Sequence, residues 1–406
     1  MAKFALPQSA TGLRAVPESR LDLRPEAEIL ADLRSFRPVT SEKNVWCFWD
    51  KGLDRMYPSY RCTVVNWVRK LGPSWTVRLV DVVEGSPNHV YNYAGRDWFP
   101  SCFVEGTMDG RHAAQHAADL VRLPLLYEHG GVWMDVGNML HTHLDELFWD
   151  ALTAPGSPYE MGVWIITGQI RRQWGSFGNY MMAARKGCVF VRSWHASYAA
   201  LWRGGRTNCA GFHASPLVRD IGIADGMLDG DFRDRVHEMS DYVAQMLLGD
   251  RTRNLLDVGT GWSGRAFWER HVFMVEGIVN GILGSIRTGH DGRRQAELFT
   301  TPLDDPDDGR RAAAEAFVVD MLENSHMYKV YHNPAGGLPA LGDVIKRDGF
   351  RDADHRPGTY GELYRYGTVH WESTRGVERL VPQPTTDKLI RATPTTPAMP
   401  DDHEDQ

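Results

Sequence analysis

The chain has 406 residues, 42% hydrophobic and 24% charged, ordinary proportions for a globular protein long enough to bury a substantial core without disulfide or metal staples. A formal net charge of −7 excludes a global basic field, so no DNA partner is expected and any RNA contact needs a local patch. Cysteines at 47, 62, 102, 188 and 209 are odd in number and form no CxxC pair, which argues against a disulfide framework and for a reducing, cytoplasmic setting. No stretch reaches the ~18 apolar residues of a membrane span, and the first twenty residues contain no apolar signal core.

Residues 1–40 are polar and proline-punctuated and read as an arm with a short helix over 25–36. The run Asn44-Val45-Trp46-Cys47-Phe48-Trp49 has the aromatic and β-branched content of a buried strand and stops at Asp50-Lys51-Gly52. Pro58 suits the first position of a helix that runs to Lys70, with Leu71-Gly72-Pro73 as its stop. Residues 75–80 alternate as a second strand ending at Asp81, and strand, helix, strand in this span predicts a parallel sheet.

Residues 112–129 are rich in alanine and leucine with helical periodicity, kinked at Pro124, and Gly130-Gly131 forms a C-terminal cap. Val132-Trp133-Met134-Asp135-Val136-Gly137 then reads as a short strand that leaves Asp135 at the carboxyl edge of the sheet, where open α/β folds place ligands. Further on, the pattern predicts a strand over 162–167, a helix over 190–202, mostly helix over 231–290, an acidic loop at 304–309, a helix over 311–323 and an aromatic strand over 327–332. Residues 41–380 thus form one catalytic domain with helical insertions, and 381–406, rich in proline, threonine and acids, form a disordered tail.

Several features have a plain structural explanation beside a functional one. Trp46, Trp49, Trp133, Trp149, Trp164 and Trp174 flank polar residues as a ligand wall would, but a bulky core accounts for them better. Leu255 to Gly264 reads like a glycine loop for S-adenosylmethionine, yet residues 250–254 are not strand-like, so a glycine-bounded turn is preferred. His112 and His116 are four apart, but no Glu follows the first as in HExxH, which favours an ordinary polar face. Arg171-Arg172 with Trp174, and Arg185-Lys186 with Arg192, are the best local basic groups for an RNA backbone, weighed against solvated surface charge.

Ala118-Asp119-Leu120-Val121-Arg122, the Gly130-Gly131 turn and Trp133-Met134-Asp135 together resemble the core of the capsular polysaccharide synthesis family and related DXD sugar transferases. The resemblance runs from about residue 44 to 145 and more loosely to 216. Fungal members are the most similar, through Gly72 to Val77, Met108-Asp109-Gly110 and Gly131 to Gly137. It implies an α/β, GT-A-like (Rossmann-like), mostly parallel sheet flanked by helices, with a helical C-terminal accessory part. In such enzymes the residues matching Asp119 and Arg122 hold the nucleotide sugar, and the two acids of DXD carry a divalent cation. Here the second acid is Gly137, which leaves Asp135 as the one metal candidate and a weak site for a hard cation. Asp145 could substitute only if its loop folds back. His213 lies in a segment that resembles a loop on the acceptor side, and His370 resembles a histidine near the metal.

Some fungal proteins of this kind are arginine-containing cyclodipeptide synthases, understood to join arginine and a second amino acid from aminoacyl-tRNAs into a diketopiperazine. The loss of the acidic pair favours that reading: a tRNA-dependent enzyme with arginyl-tRNA among its partners and no required cofactor. Asp135 and Asp119 would be catalytic, and Arg122, Trp49, Asp50, Asp109, Trp133 and His213 would bind substrate. The alternative is a nucleotide-sugar-dependent glycosyltransferase using Mg²⁺ or Mn²⁺, and a noncatalytic binding relative is the third class. In each enzymatic reading, Asp135→Asn is expected to abolish turnover with little change in thermal midpoint.

Overall fold

The computed structural model describes residues 3–166, 176–221, 236–332, 337–347, 349–382 and 387–396. Seven strands form the central sheet: β1 (Asn44–Phe48), β2 (Thr76–Val80), β3 (Gly131–Met134), β4 (Met161–Ile166), β5 (Ser176–Ala184), β6 (Val272–Glu276) and β7 (Arg379–Leu380). Their order across the sheet is β7-β6-β4-β5-β3-β1-β2. β1 is parallel to both β2 and β3, and β4 to β6, whereas β5 runs against both its neighbours and β7 against β6. Five of the seven strands therefore share one direction, the mostly parallel α/β arrangement expected of a GT-A-like chain.

Two helices set the site. α1 (Pro58–Leu71) connects β1 to β2, and α2 (Ala113–His129) leads from the β2 side back to β3 on the other flank of β1. The chain thus leaves β1 in one direction and returns in the other. That reversal makes a switch point at the carboxyl ends of β1 and β3, the place where open α/β sheets bind ligands. Period-two alternation seals the sheet on both faces: Val45, Cys47, Val132 and Met134 pack with α1, while Trp46, Phe48 and Trp133 pack with α2. The α2–β3 turn needs both glycines, because Gly130 and Gly131 have φ of 68° and 108° and a Cβ on Gly131 would stand 2.3 Å from the Asn44 carbonyl oxygen. α2 runs unbroken through Pro124.

The tryptophans are core. Trp46, Trp133, Trp149 and Trp164 are all at most 2% exposed, and Trp49 is half-buried; Trp174 lies outside the described residues. The described residues 236–290 are mostly helical, as expected, in the helices Val236–Tyr242, Ala244–Arg253, Gly264–His271 and Val279–Arg287, but β6 interrupts them: Val-Phe-Met-Val is apolar enough to be buried in the sheet beside β4. In the segment expected to be a disordered tail, Ile390–Ala392 pairs in parallel with Leu255–Asp257. That small ladder lies off the central sheet, and the glycines after it close a turn in which Gly261 N–H donates to the Asp257 carbonyl at 2.7 Å. The glycine loop is therefore a turn. The N-terminal arm contributes the strand Leu13–Ala15, antiparallel to Trp371–Ser373, and the helix Glu26–Arg34. A separate apolar cluster of C-terminal helices, built on Asp308–Asn324 and Tyr360–His370, carries the strand Met327–Lys329 against Asn138–Leu140.

Candidate active site

Asp119 and Arg122, three apart on α2, share the helix face that meets the end of β3. Both are buried, at 7% and 3% exposure, so they are not a surface pair. The Arg122 guanidinium lies over the Trp133 ring, 5.1 Å from its centroid. Its Nη1 reaches Asp119 Oδ1 at 2.5 Å and donates to Gln245 Oε1 at 2.6 Å, and its Nη2 reaches Asp135 Oδ1 at 3.3 Å. Asp135, just past β3, also accepts from Trp133 Nε1 at 2.9 Å and from Lys329 Nζ at 2.8 Å. Asn179 bridges Asp119 Oδ1 and Gln245 Oε1.

The charge states follow from these contacts. Burial raises the Asp135 pKa, but the Lys329 ammonium and the Arg122 guanidinium together hold it below the usual carboxylate range. His116 is buried beside Asp119, with Nδ1 3.3 Å from Asp119 Oδ2 and 2.9 Å from the Tyr198 hydroxyl. Burial alone would lower its pKa, but hydrogen bonding and charge from Asp119 and Cys209 together outweigh that and raise it to about 9. At neutral pH the connected groups are therefore three cations, Arg122, His116 and Lys329, against two carboxylates. An excess of buried positive charge at a sheet edge favours an anionic ligand.

The structure brings together Asp119, Arg122, Trp133 and Asp135, and sets Trp49 and Asp50 just past the end of β1, the parallel neighbour of β3. It does not bring Asp109 to them. That side chain is exposed and pins its own loop, accepting from Asn208 Nδ2 at 2.7 Å and Thr207 Oγ1 at 3.1 Å. His213 forms a dyad with Asp241, Nδ1 to Oδ1 at 2.9 Å, beside His237. His370 stacks on Tyr366 at the end of its helix. Arg171 and Arg172 lie outside the described residues, and Arg185 is held by Glu42. His116 belongs to the buried network, not to a polar helix face. Lys329, Gln245 and Asn179 were not legible in the sequence. A lone lysine in the aromatic run Met327-Tyr328-Lys329-Val330-Tyr331 was the one signal available.

The residues present do not fit a divalent cation. Asp135 already has one oxygen on Lys329 and the other on Arg122 and Trp133, and a lone carboxylate beside two cations is a poor site for a hard ion that wants several oxygen ligands. A Cβ at Gly137 would stand 2.7 Å from the Val330 carbonyl oxygen, so the position of the second acid is filled by backbone. Asp145 does not fold back; it accepts from Lys43 Nζ at 2.8 Å and Trp75 Nε1 at 3.0 Å. Among the described residues no group of three or more His, Cys, Asp or Glu is placed to hold a metal.

Fold and site define an α/β chain with a buried charged network at the sheet's switch point. A family model described as capsular polysaccharide synthesis protein matches residues 26–213. The chain is 36% identical to "O-glycosyltransferase braB" of Annulohypoxylon truncatum, covering 90% of this chain and 88% of that one. It is 38% identical to "Glycosyltransferase afumC" of Aspergillus fumigatus, over 90% and 95%, and 36% identical to "O-glycosyltransferase PaGT" of Phomopsis amygdali, over 90% and 91%. The chain belongs to the capsular polysaccharide synthesis, glycosyltransferase-like family. Among solved structures, "PaToxG Glycosyltransferase" is similar with 14% identity, 54% of this chain and 84% of that one covered, and a TM-score of 0.29, too slight an overlap for anything to rest on it.

These relatives overturn the cyclodipeptide synthase reading and its aminoacyl-tRNA partners, arginyl-tRNA included. Similarity to proteins named glycosyltransferases extends over about nine-tenths of the chain. The missing second acid at Gly137 does not by itself exclude a nucleotide diphosphate, because the structure puts a lysine beside the remaining acid.

Proposed function

We propose that the chain is a nucleotide-sugar-dependent glycosyltransferase acting on a hydroxyl-bearing acceptor. The observation that carries this reading is end-to-end similarity to relatives named glycosyltransferases, two of them O-glycosyltransferases. The cationic excess of the network at the end of β3 supports it, since the donor's diphosphate is anionic. In this reading the donor binds at the ends of β1 and β3, beside Trp49 and Asp50, while the buried Trp133 supports Arg122 from within. Arg122 and Asp119 brace the strand end and keep Asp135 charged and oriented. Transfer breaks the bond between the anomeric carbon and the diphosphate oxygen and forms one to the acceptor oxygen. The acceptor's proton passes to a base, for which His213 is suited: donation from Nδ1–H to Asp241 leaves Nε2 as the acceptor.

A cytoplasmic setting, where nucleotide sugars are made, accords with five unpaired cysteines. Among the described residues no helix is long and apolar enough to cross a membrane. The test is incubation of the purified chain with a panel of nucleotide sugars, with mass spectrometry of the nucleotide released. Release from one donor, stimulated by hydroxylated small molecules, is the expected result. No turnover of any donor by a folded protein, with or without added acceptors, would overturn the reading.

A further inference from the structure

We infer that Lys329 takes the electrostatic role of the divalent cation, binding the donor's diphosphate and neutralising it as it leaves. This rests on the glycosyltransferase reading and deepens it. Three observations carry it. The first is steric: the backbone at Val330 runs against Gly137, its N–H donating to the Gly137 carbonyl at 2.9 Å, so no side chain fits where a second acid would project. The second is register. Met327, Tyr328 and Lys329 face Leu140, Met139 and Asn138, and the same strand that fills the space at Gly137 carries the Lys329 ammonium to 2.8 Å from Asp135 Oδ2. One structural event removes the second ligand and supplies a positive charge.

The third observation concerns spare bonding capacity. Arg122 is 3% exposed and spends its terminal nitrogens on Asp119, Gln245 and Asp135, so it braces the network from within. Lys329 has a side chain 16% exposed, and an ammonium has three donors, of which Asp135 takes one. The Tyr180 ring, 5.2 Å from Nζ, backs the ammonium on another side and limits its swing. Asp135 is in this scheme a positioning residue for Lys329. When the bond from the anomeric carbon to the diphosphate breaks, its electron pair stays on the phosphate oxygen, and the Lys329 ammonium lies at the strand end where that charge develops.

The experiment measures UDP and GDP binding by calorimetry, and donor turnover, on the intact chain in EDTA and in Mn²⁺. Wild type is expected to bind one of the two diphosphates in EDTA, with turnover there within about twofold of that in Mn²⁺. Lys329→Met should weaken that binding tenfold or more, and Lys329→Arg should recover part of it. Binding and turnover that vanish in EDTA and return with Mn²⁺ would overturn the role of Lys329 while leaving the glycosyltransferase reading intact. So would a folded Lys329→Met that binds as wild type does. No binding and no turnover under either condition would overturn both together. The EDTA comparison needs only the wild-type chain, so it decides even if Lys329→Met does not fold.

Discussion

Replacing Gly137 with alanine tests whether close approach of backbone dictates this position. Gly137 does not have a positive φ, so the backbone itself would accept a side chain and the penalty is steric alone. The added Cβ would stand 2.7 Å from the Val330 carbonyl oxygen, and backbone cannot rotate away as a flexible side chain would. Forcing a methyl group into such a contact costs about 1–3 kcal/mol. The 2.9 Å bond from Val330 N–H to the Gly137 carbonyl is strained in the same movement. An unfolding entropy of about 2.1 cal/mol/K per residue gives ~0.85 kcal/mol/K for this length, so the thermal midpoint should fall by about 1–4 °C. Differential scanning calorimetry measures it, with Gly376→Ala as control, because a Cβ there meets nothing within 4 Å. Displacement of the strand should also move Lys329 off Asp135 and weaken diphosphate binding. A Gly137→Ala protein as stable as Gly376→Ala, with unchanged binding, would refute the steric argument.

Asp135→Asn should abolish donor turnover. It should also destabilise the fold by about 1–3 kcal/mol, after allowance for partial exposure, since two charge-assisted contacts lose their anion; circular dichroism melts check the second part, and an unchanged midpoint would contradict the ion-pair geometry. This revises the expectation of an unchanged midpoint. His116, raised to about 9 in the fold from an ordinary 6.5, contributes up to ~3 kcal/mol that is complete below pH 6.5 and lost as pH rises through 9. Melts of His116→Gln between pH 6 and 9.5 should lack that decline. Asp354, fully buried, accepts from Ser59 Oγ at 2.7 Å and from Arg365 Nε at 3.0 Å; burial raises its pKa, but Arg365 brings it well below the ordinary 3.8. Its contribution is present above pH 3.8 and lost as pH falls through the folded value, and Asp354→Asn at neutral pH should cost about 3–5 kcal/mol in urea unfolding.

Local pattern was enough for the nucleus of the fold. The aromatic and β-branched content of 44–48, Pro58 at the start of α1, the alanine-rich periodicity of α2 and the glycine pair before β3 are short-range signals, and each corresponds to an element that packs as its apolar face requires. The same signals put Asp135 at a carboxyl edge of the sheet and Asp119 and Arg122 on one helix face. Composition does not report which distant segment covers that edge. Gln245, Asn179 and Lys329 reach the network from 60 to 210 residues beyond Asp119, and nothing near them in sequence marks them. β6 was hidden in a stretch of helical character because burial on both faces erases alternation. Gly137 illustrates the division most clearly. Its sequence shows that a second acid is missing, but only the tertiary structure shows that Val330 fills the space and Lys329 supplies the charge, because steric exclusion and ion pairing are contacts between segments about 190 residues apart.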